Sequence, residues 1–319
     1  MPTFDRSFVV QLAERYRNWG RWGPDDELGT LNFITPETVR EASKLIREGK
    51  VFSLAIDFNS NGPQRQSHYT RRFNPVHTML RTGADALASA EGGEPPLMAG
   101  SDDMVCMPLQ CATQWDSLAH IFYKGIMYNG RSAGLVTAQG AAKNSIDKMR
   151  DHIVGRAVLL DIACWKGVPW LEPGTAIYPE DLDACLRHQG VQVRRGDFLL
   201  IRTGHITLCR KRGDWGDYAG GDAPGLSLLT IPWIYEKEVA SVCSDTWGVE
   251  VRPNEVPDVR QPWHVVAIPN MGLLVGEIFD LDALAEDRAR DGRYEMFFCA
   301  PPLPITGAVG SPVNPQAIK

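Results

Sequence analysis

The chain has 319 residues, 44% hydrophobic and 23% charged, with a net charge of −6. That is the composition of a soluble globular protein with ample core, in one large or two ordinary domains. It excludes a basic nucleic-acid surface, and no apolar run is long enough to span a membrane. The N-terminal MPTFDRSFVVQL lacks the charged and apolar blocks of a signal peptide. Seven scattered cysteines, never spaced Cys-x-x-Cys, fit reduced thiols in a cytoplasmic protein better than a disulfide framework or a zinc ribbon.

Residues 4–18 read as a first helix with Phe8, Leu12 and Tyr16 on one side, broken by WGRWGP. Thr35-Pro36-Glu37 is a helix start, with Thr35 as N-cap and proline at the first helical position. Its apolar stripe is Val39, Ala42, Leu45 and Ile46, and Gly49 ends it. Val51 to Phe58 reads as a strand. From Asn59 to Gly100 the sequence is irregular and holds Arg65, His68, Arg71, Arg72, His77 and Arg81. A connection that long implies a loop that lines or covers a pocket, or else a solvated excursion.

The next stretch, MVCMPLQCATQWDSLAH from Met104 to His120, is the most informative. Read as a strand, it sends Gln110, Ala112, Gln114 and Asp116 to one face and Leu109, Cys111, Thr113 and Trp115 to the other. Two amides and a carboxylate converging over a gap suit a divalent cation, with His120 close by. The same alternation also describes a half-exposed strand with a solvated face.

Beyond His120, Gly140 to Asp151 reads as helical and Arg156 to Ala163 as a buried strand. A helix follows from Tyr178-Pro179-Glu180 through His188. The strand from Asp197 ends at Thr203-Gly204-His205. Ile231 to Lys237 is a short helix, Val239 to Asp245 a strand, and a proline-broken loop over 252–262 delivers His264. In Gly272 to Glu277, alternation puts Leu273, Val275 and Glu277 on one face. Leu281 to Arg290 reads as helix and Glu295 to Cys299 as extended, and the proline-rich tail is extended too. No repeat, low-complexity run or linker interrupts the chain. The expectation is one α/β domain, residues 51–319, with a helical arm over residues 1–50.

Gln110-x-x-x-Gln114-x-Asp116-Ser117-x-x-x-His120 resembles the motif of the cyclase-type metal-dependent hydrolases, which include kynurenine formamidase and isatin hydrolase. Their usual signature is His-x-Gly-Thr-His-x-Asp-x-Pro-x-His. Here glutamines stand at Gln110 and Gln114 in place of histidines, and Leu118 replaces the proline. The double change resembles the branch that includes bacterial trans-dienelactone hydrolase. GRAVLLDIACWKG, GDFLLIRTGH and the pair His264 and Glu277 also look like family blocks.

The resemblance implies a swivelling β/β/α fold, usually as a homodimer or larger homo-oligomer. It implies Asp116, His264 and Glu277 as metal ligands and His120 in proton transfer. Gln110 and Gln114 are either further ligands or groups that orient water or substrate. Amide oxygens are weaker zinc donors than imidazole and suit harder ions, so one tightly held ion, zinc or manganese, is expected.

The implied activity is the opening of a cyclic ester, trans-dienelactone to maleylacetate. A lactam or arylformamide hydrolase and a non-catalytic small-molecule binder are the alternatives. A carboxylate on the substrate calls for a cation in the pocket, with Arg71, Arg72 and Arg81 as candidates. Trp115 is a candidate for stacking a ring. Cys111 lacks a base, and no Gly-x-Ser-x-Gly elbow or phosphate-cradling loop occurs. His205 and Asp245 read as capping or packing residues.

Overall fold

A computed structural model of the chain describes residues 4–65, 71–89 and 93–319; His68 lies outside them. Nine strands among these residues form one mixed sheet. They are β1 (Val51–Ser53), β2 (Gln114–Asp116), β3 (Val154–Asp161), β4 (Phe198–Arg202), β5 (Ser241–Ser244), β6 (Leu274–Glu277), β7 (Glu295–Cys299), β8 (Gly310–Pro312) and β9 (Gln316–Ile318). Their spatial order is β1-β9-β7-β3-β4-β5-β6-β2-β8.

The middle four strands, β3 to β6, are parallel neighbours. A parallel sheet covered on both faces needs unbroken apolar strands rather than alternating ones. The runs AVLL in β3 and FLLI in β4 supply them, and every residue of β3 except Val154 is buried. Antiparallel strands flank this centre: β7, β9 and β1 on one side, β2 and β8 on the other. The proline-rich tail supplies β8, one edge strand, and β9, which pairs with the other edge strand β1.

Helices α1 (Arg6–Arg15), α2 (Pro36–Ser43), α3 (Pro179–Gln189), α4 (His205–Arg212), α5 (Thr230–Glu236), α6 (Pro262–Val266) and α7 (Asp282–Asp291) accompany the sheet. The N-terminal arm belongs to the same core: Val9, Leu12, Ala13 and Leu31 pack in one cluster with residues of β3, β4 and β6. Among the described residues, no helix is long and apolar enough to cross a membrane.

Several expectations from the sequence need correction. Helix α2 begins as expected, with Thr35 and Thr38 capping each other, but it ends at Ser43. Only Ala42 of it is buried and Ile46 is exposed, so little packing supports another turn. The strand expected over 51–58 has only three residues, matched to its three-residue partner β9. Residues 140–151 form no α-helix. Asn144 sits at φ 62°, and only a 3₁₀ turn, Ile146–Met149, follows.

The stretch expected to be irregular holds a hairpin of Val76–Arg81 with Asp102–Cys106, and a short helix, Gly83–Ala88. Both faces of this ribbon are exposed, so no apolar alternation marks it in the sequence. Nor is Met104 to His120 one strand. Asp102–Cys106 belongs to the hairpin, residues 107–113 turn, and only Gln114–Asp116 joins the main sheet.

Candidate metal centre

The site begins at the seam between β2 and β6. Antiparallel pairing sets Gln114 opposite Glu277, and Asp116 opposite Val275. Residues two apart on a strand share a face, so Gln114, Asp116 and Glu277 point the same way. The Gln114 amide Nε2 donates to Glu277 Oε2 at 2.9 Å. Trp115 and Gly276 face the other side. A Cβ on Gly276 would lie 2.7 Å from the Trp115 ring, so the glycine is what lets Trp115 seat in the core.

His264 arrives from α6. Its Nε2 lies 3.2 Å from Glu277 Oε1, and its Nδ1 lies 2.6 Å from Glu250 Oε1. The Glu250 carboxylate also accepts the backbone amides of Trp263 and His264 at 2.9 and 3.1 Å. It thereby holds the first turn of α6 and turns Nε2 of the imidazole toward Glu277. Asp116, His264 and Glu277 offer ligand atoms all within 4.8 Å of one another, and all three are buried. Val249, Gln261 and Ile278 take positive φ values of 48°, 47° and 61° on the segments that present Glu250, His264 and Glu277. Backbone of this kind costs on the order of 1–3 kcal/mol per residue and clusters at functional sites.

The electrostatics of these buried groups suit a bound cation. Burial, with the charge of Glu277, raises the Asp116 carboxyl to about 8. Burial also disfavours the His264 imidazolium, but hydrogen bonds and charge from Glu250 and Glu277 outweigh it and raise His264 to about 10. A proton on His264 therefore supplies positive charge among the carboxylates. Gln114 Oε1 and Asp116 Oδ1 are buried acceptors with no hydrogen-bond partner, an arrangement that is costly unless something satisfies them. Two carboxylates, one imidazole and an unpaired amide oxygen are a donor set for a divalent ion, so the residues present fit one.

Above this floor opens a cavity of about 410 Å³, within the range of small-ligand pockets. Asp116 and Glu277 face it, as do His120, Phe122, Trp247 and Arg72. His120 is recessed, with Nε2 3.8 Å from Asp116 Oδ1. Its Nδ1 lies 3.5 Å from Gln110 Nε2. Burial, then the positive charges of Arg72 and His264, lower His120 to about 3, so it is neutral at working pH. Arg72 donates to the Gln110 carbonyl at 3.0 Å, and its guanidinium lies 5.9 Å from the centre of the Trp247 ring.

Gln114, Asp116, His264 and Glu277 thus meet, with His120 beside them. Gln110 sits in the turn before β2 rather than on the strand, and its amide packs against Gly310, where a Cβ would lie 2.4 Å from Nε2. Of the three candidate arginines only Arg72 reaches the cavity wall. Arg71 and Arg81 are exposed on the approach to the hairpin and on the hairpin itself.

Trp115 as a stacking platform is a correction. It is wholly buried, packs edge-on against Phe279 and Phe298, and donates to the Ala300 carbonyl at 2.9 Å. Cys111 is buried and its thiol is pushed up to about 11, against any nucleophilic role. Asp245 accepts Thr203 N, Thr203 Oγ1 and Gly204 N, a loop staple. His205 is buried against the Tyr218 ring.

Glu250, Trp247 and Arg260 are the residues the sequence reading missed. Glu250 stands 14 positions before His264, and no spacing rule links a carboxylate to a histidine on a later helix. Trp247 and Arg260 come from loops that only the fold brings to the cavity.

In sequence and fold the chain is similar to known proteins. The family model described as "Putative cyclase" matches residues 52–251. A solved structure described as a novel cyclase is 40% identical, covers 96% of this chain and 99% of its own, and superposes with a TM-score of 0.85. Isatin hydrolase A from Ralstonia solanacearum is 18% identical with a TM-score of 0.62, over 85% of this chain and 92% of its own. Isatin hydrolase A from Labrenzia aggregata is 19% identical with a TM-score of 0.60, over 86% and 94%. At those identities the likeness is one of fold. Among curated proteins none matches.

Proposed function

Because the chain belongs to the cyclase family, we propose that it is a metal-dependent hydrolase that opens a cyclic ester. One observation carries the reading. Asp116, His264 and Glu277 converge at the floor of a cavity, with unpartnered oxygens on Asp116 and Gln114. Asp116, His264 and Glu277 would hold one zinc or manganese ion, with Gln114 adjacent. Such an ion, when bound, acidifies water and polarises a carbonyl.

The chain's own residues supply the rest. Neutral His120 stands over Asp116 as the base that takes the proton of the attacking water. The same imidazole, once protonated, passes the proton to the leaving oxygen. Gln110 beside Nδ1 restrains the ring. Arg72 on the wall pairs with a substrate carboxylate, while Phe122 and Trp247 offer apolar faces to a planar ring. Water adds to the ring carbonyl and the C–O bond breaks. A carboxylate and an enol are released, and the enol tautomerises to a ketone.

The specific substrate proposed is trans-dienelactone, giving maleylacetate. The glutamines at 110 and 114 and a cationic wall for the substrate's carboxylate support it. The structurally similar isatin hydrolases make a lactam the second reading. Assaying dienelactone, isatin and N-formylkynurenine in parallel, after chelation and metal restoration, tests both. Dienelactone turnover that returns only with metal is expected. Exclusive isatin turnover favours the second reading, and metal-independent turnover of any of them defeats the proposal.

A further inference from the structure

A second cavity of about 450 Å³ is as large as the one over the metal centre. The two have no lining residue in common among those described. Helix α4 forms one wall. His205, Cys209 and Arg212 recur on it at helical spacing, so they share a face, and all three line the cavity. The loop after the helix adds Trp215, Tyr218 and Asp222.

His205 is held in place. Asp245 accepts the amide of Gly204 at 2.7 Å, and the His205 amide donates to Thr203 Oγ1 at 3.2 Å. The imidazole centre lies 4.8 Å from that of the Tyr218 ring. The residue is only 4% exposed, and its Nδ1 is buried without a hydrogen-bond partner. Native structures rarely leave such a group unpaired. Burial, then the charge of Arg212, lowers His205 to about 4, so at working pH the ring is neutral and keeps one N–H to donate. Arg212 is exposed and has no carboxylate partner among the described residues. A guanidinium free to pair, beside a neutral imidazole, suits a carboxylate.

The other walls narrow the choice. Trp215 donates its indole N–H to the Asn61 carbonyl at 2.8 Å, and the Tyr218 hydroxyl donates to the Asp245 carbonyl at 2.9 Å. With their polar ends tied, both rings offer the cavity apolar surface. Asp217 on the rim is paired with Arg65. Asp222, also exposed, makes no salt bridge among the described residues, and a bare anion would be repelled by it. A ligand with a positive group as well as a negative one uses both charges.

We propose that this cavity binds a small aromatic zwitterion of the amino-acid class, its carboxylate at Arg212 and His205, its ring against Tyr218 and Trp215, and its ammonium at Asp222. A volume of this size is ample for such a molecule. Because the two cavities are separate, its binding does not compete with a molecule over the metal centre.

Calorimetric titration of the full chain tests this with three probes of one skeleton. They are L-phenylalanine, 3-phenylpropionate, which lacks the ammonium, and phenethylamine, which lacks the carboxylate. Phenylalanine should bind at a single site, and each of the others about 10–100-fold more weakly, as the loss of a charge-assisted hydrogen bond implies. Arg212→Gln and Asp222→Asn should each weaken phenylalanine by a similar factor. Both positions face solvent, so the variants should keep the wild-type melting temperature. Arg72→Ala, in the other cavity, should leave the affinity unchanged. In NMR spectra, the His205 ring resonances should shift with the same midpoint as the heat. A chain that binds none of the probes overturns the proposal. So does 3-phenylpropionate binding as tightly as phenylalanine, or binding that Arg72→Ala weakens and Arg212→Gln does not.

Discussion

Nδ1 of His264 lies 2.6 Å from Oε1 of Glu250, while its Nε2 faces Glu277 at 3.2 Å. A buried carboxylate behind an imidazole fixes which nitrogen is free for a metal. Glu250→Gln keeps the volume but loses the charge that orients and enriches the ring. Metal affinity, measured by competition with a chromophoric chelator, should fall about 10–100-fold, with little change in fold by circular dichroism. Unchanged affinity would mean that Glu250 only caps α6.

His120 should separate chemistry from metal binding. His120→Ala removes the base but none of the three ligands, so kcat should drop about 10²–10⁴-fold while metal content holds. Loss of metal together with activity would place His120 among the ligands instead.

The pH behaviour of the metal-free chain follows from two raised groups. Asp116 and His264, at about 8 and about 10 in the folded chain, hold protons there that the unfolded chain has released. The folded state therefore binds more protons between about pH 6.5 and 8, and stability falls as pH rises through that window. His120, depressed to about 3, opposes this only near the lower end, where its unfolded form still titrates. The melting temperature of chelated protein should decrease from pH 6.5 to 8, and added zinc or manganese should raise it most at pH 8. A melting temperature that climbs across that range contradicts the assignment.

The two tryptophans nearest the site should behave oppositely. Trp115 is a core residue, so Trp115→Ala should cost about 3–5 kcal/mol of stability, read by denaturant unfolding. Trp247, on the cavity wall, should when changed to Ala raise KM more than it lowers the unfolding midpoint. Arg72→Ala should raise KM about 10–100-fold for a carboxylated lactone, the value of a charge-assisted hydrogen bond of about 1.5–3 kcal/mol. An uncharged lactone should be little affected. Equal losses on both substrates would mark Arg72 as structural.

Much of this fold is legible in the chain because its centre is parallel. AVLL within β3 and FLLI within β4 are unbroken apolar runs, and such runs have few alternatives to a doubly covered strand. The edges and the hairpin are not legible, since three-residue strands and a ribbon exposed on both faces carry no periodic signal. At the site, Gln114 and Asp116 could be read from alternation alone, because they do share a strand face. Gln110 could not, because the chain turns between it and β2. His264 and Glu277 gained their meaning from the family motif. Glu250, Trp247 and Arg260 needed the fold itself, which joins segments with no regular spacing between them.

Elemental analysis of the purified chain, beside its Asp116→Ala and His264→Ala variants, goes most directly to the central claim. The account predicts about one zinc or manganese ion per wild-type chain and none in either variant. A wild-type chain that carries no divalent ion and takes up none from solution would contradict it.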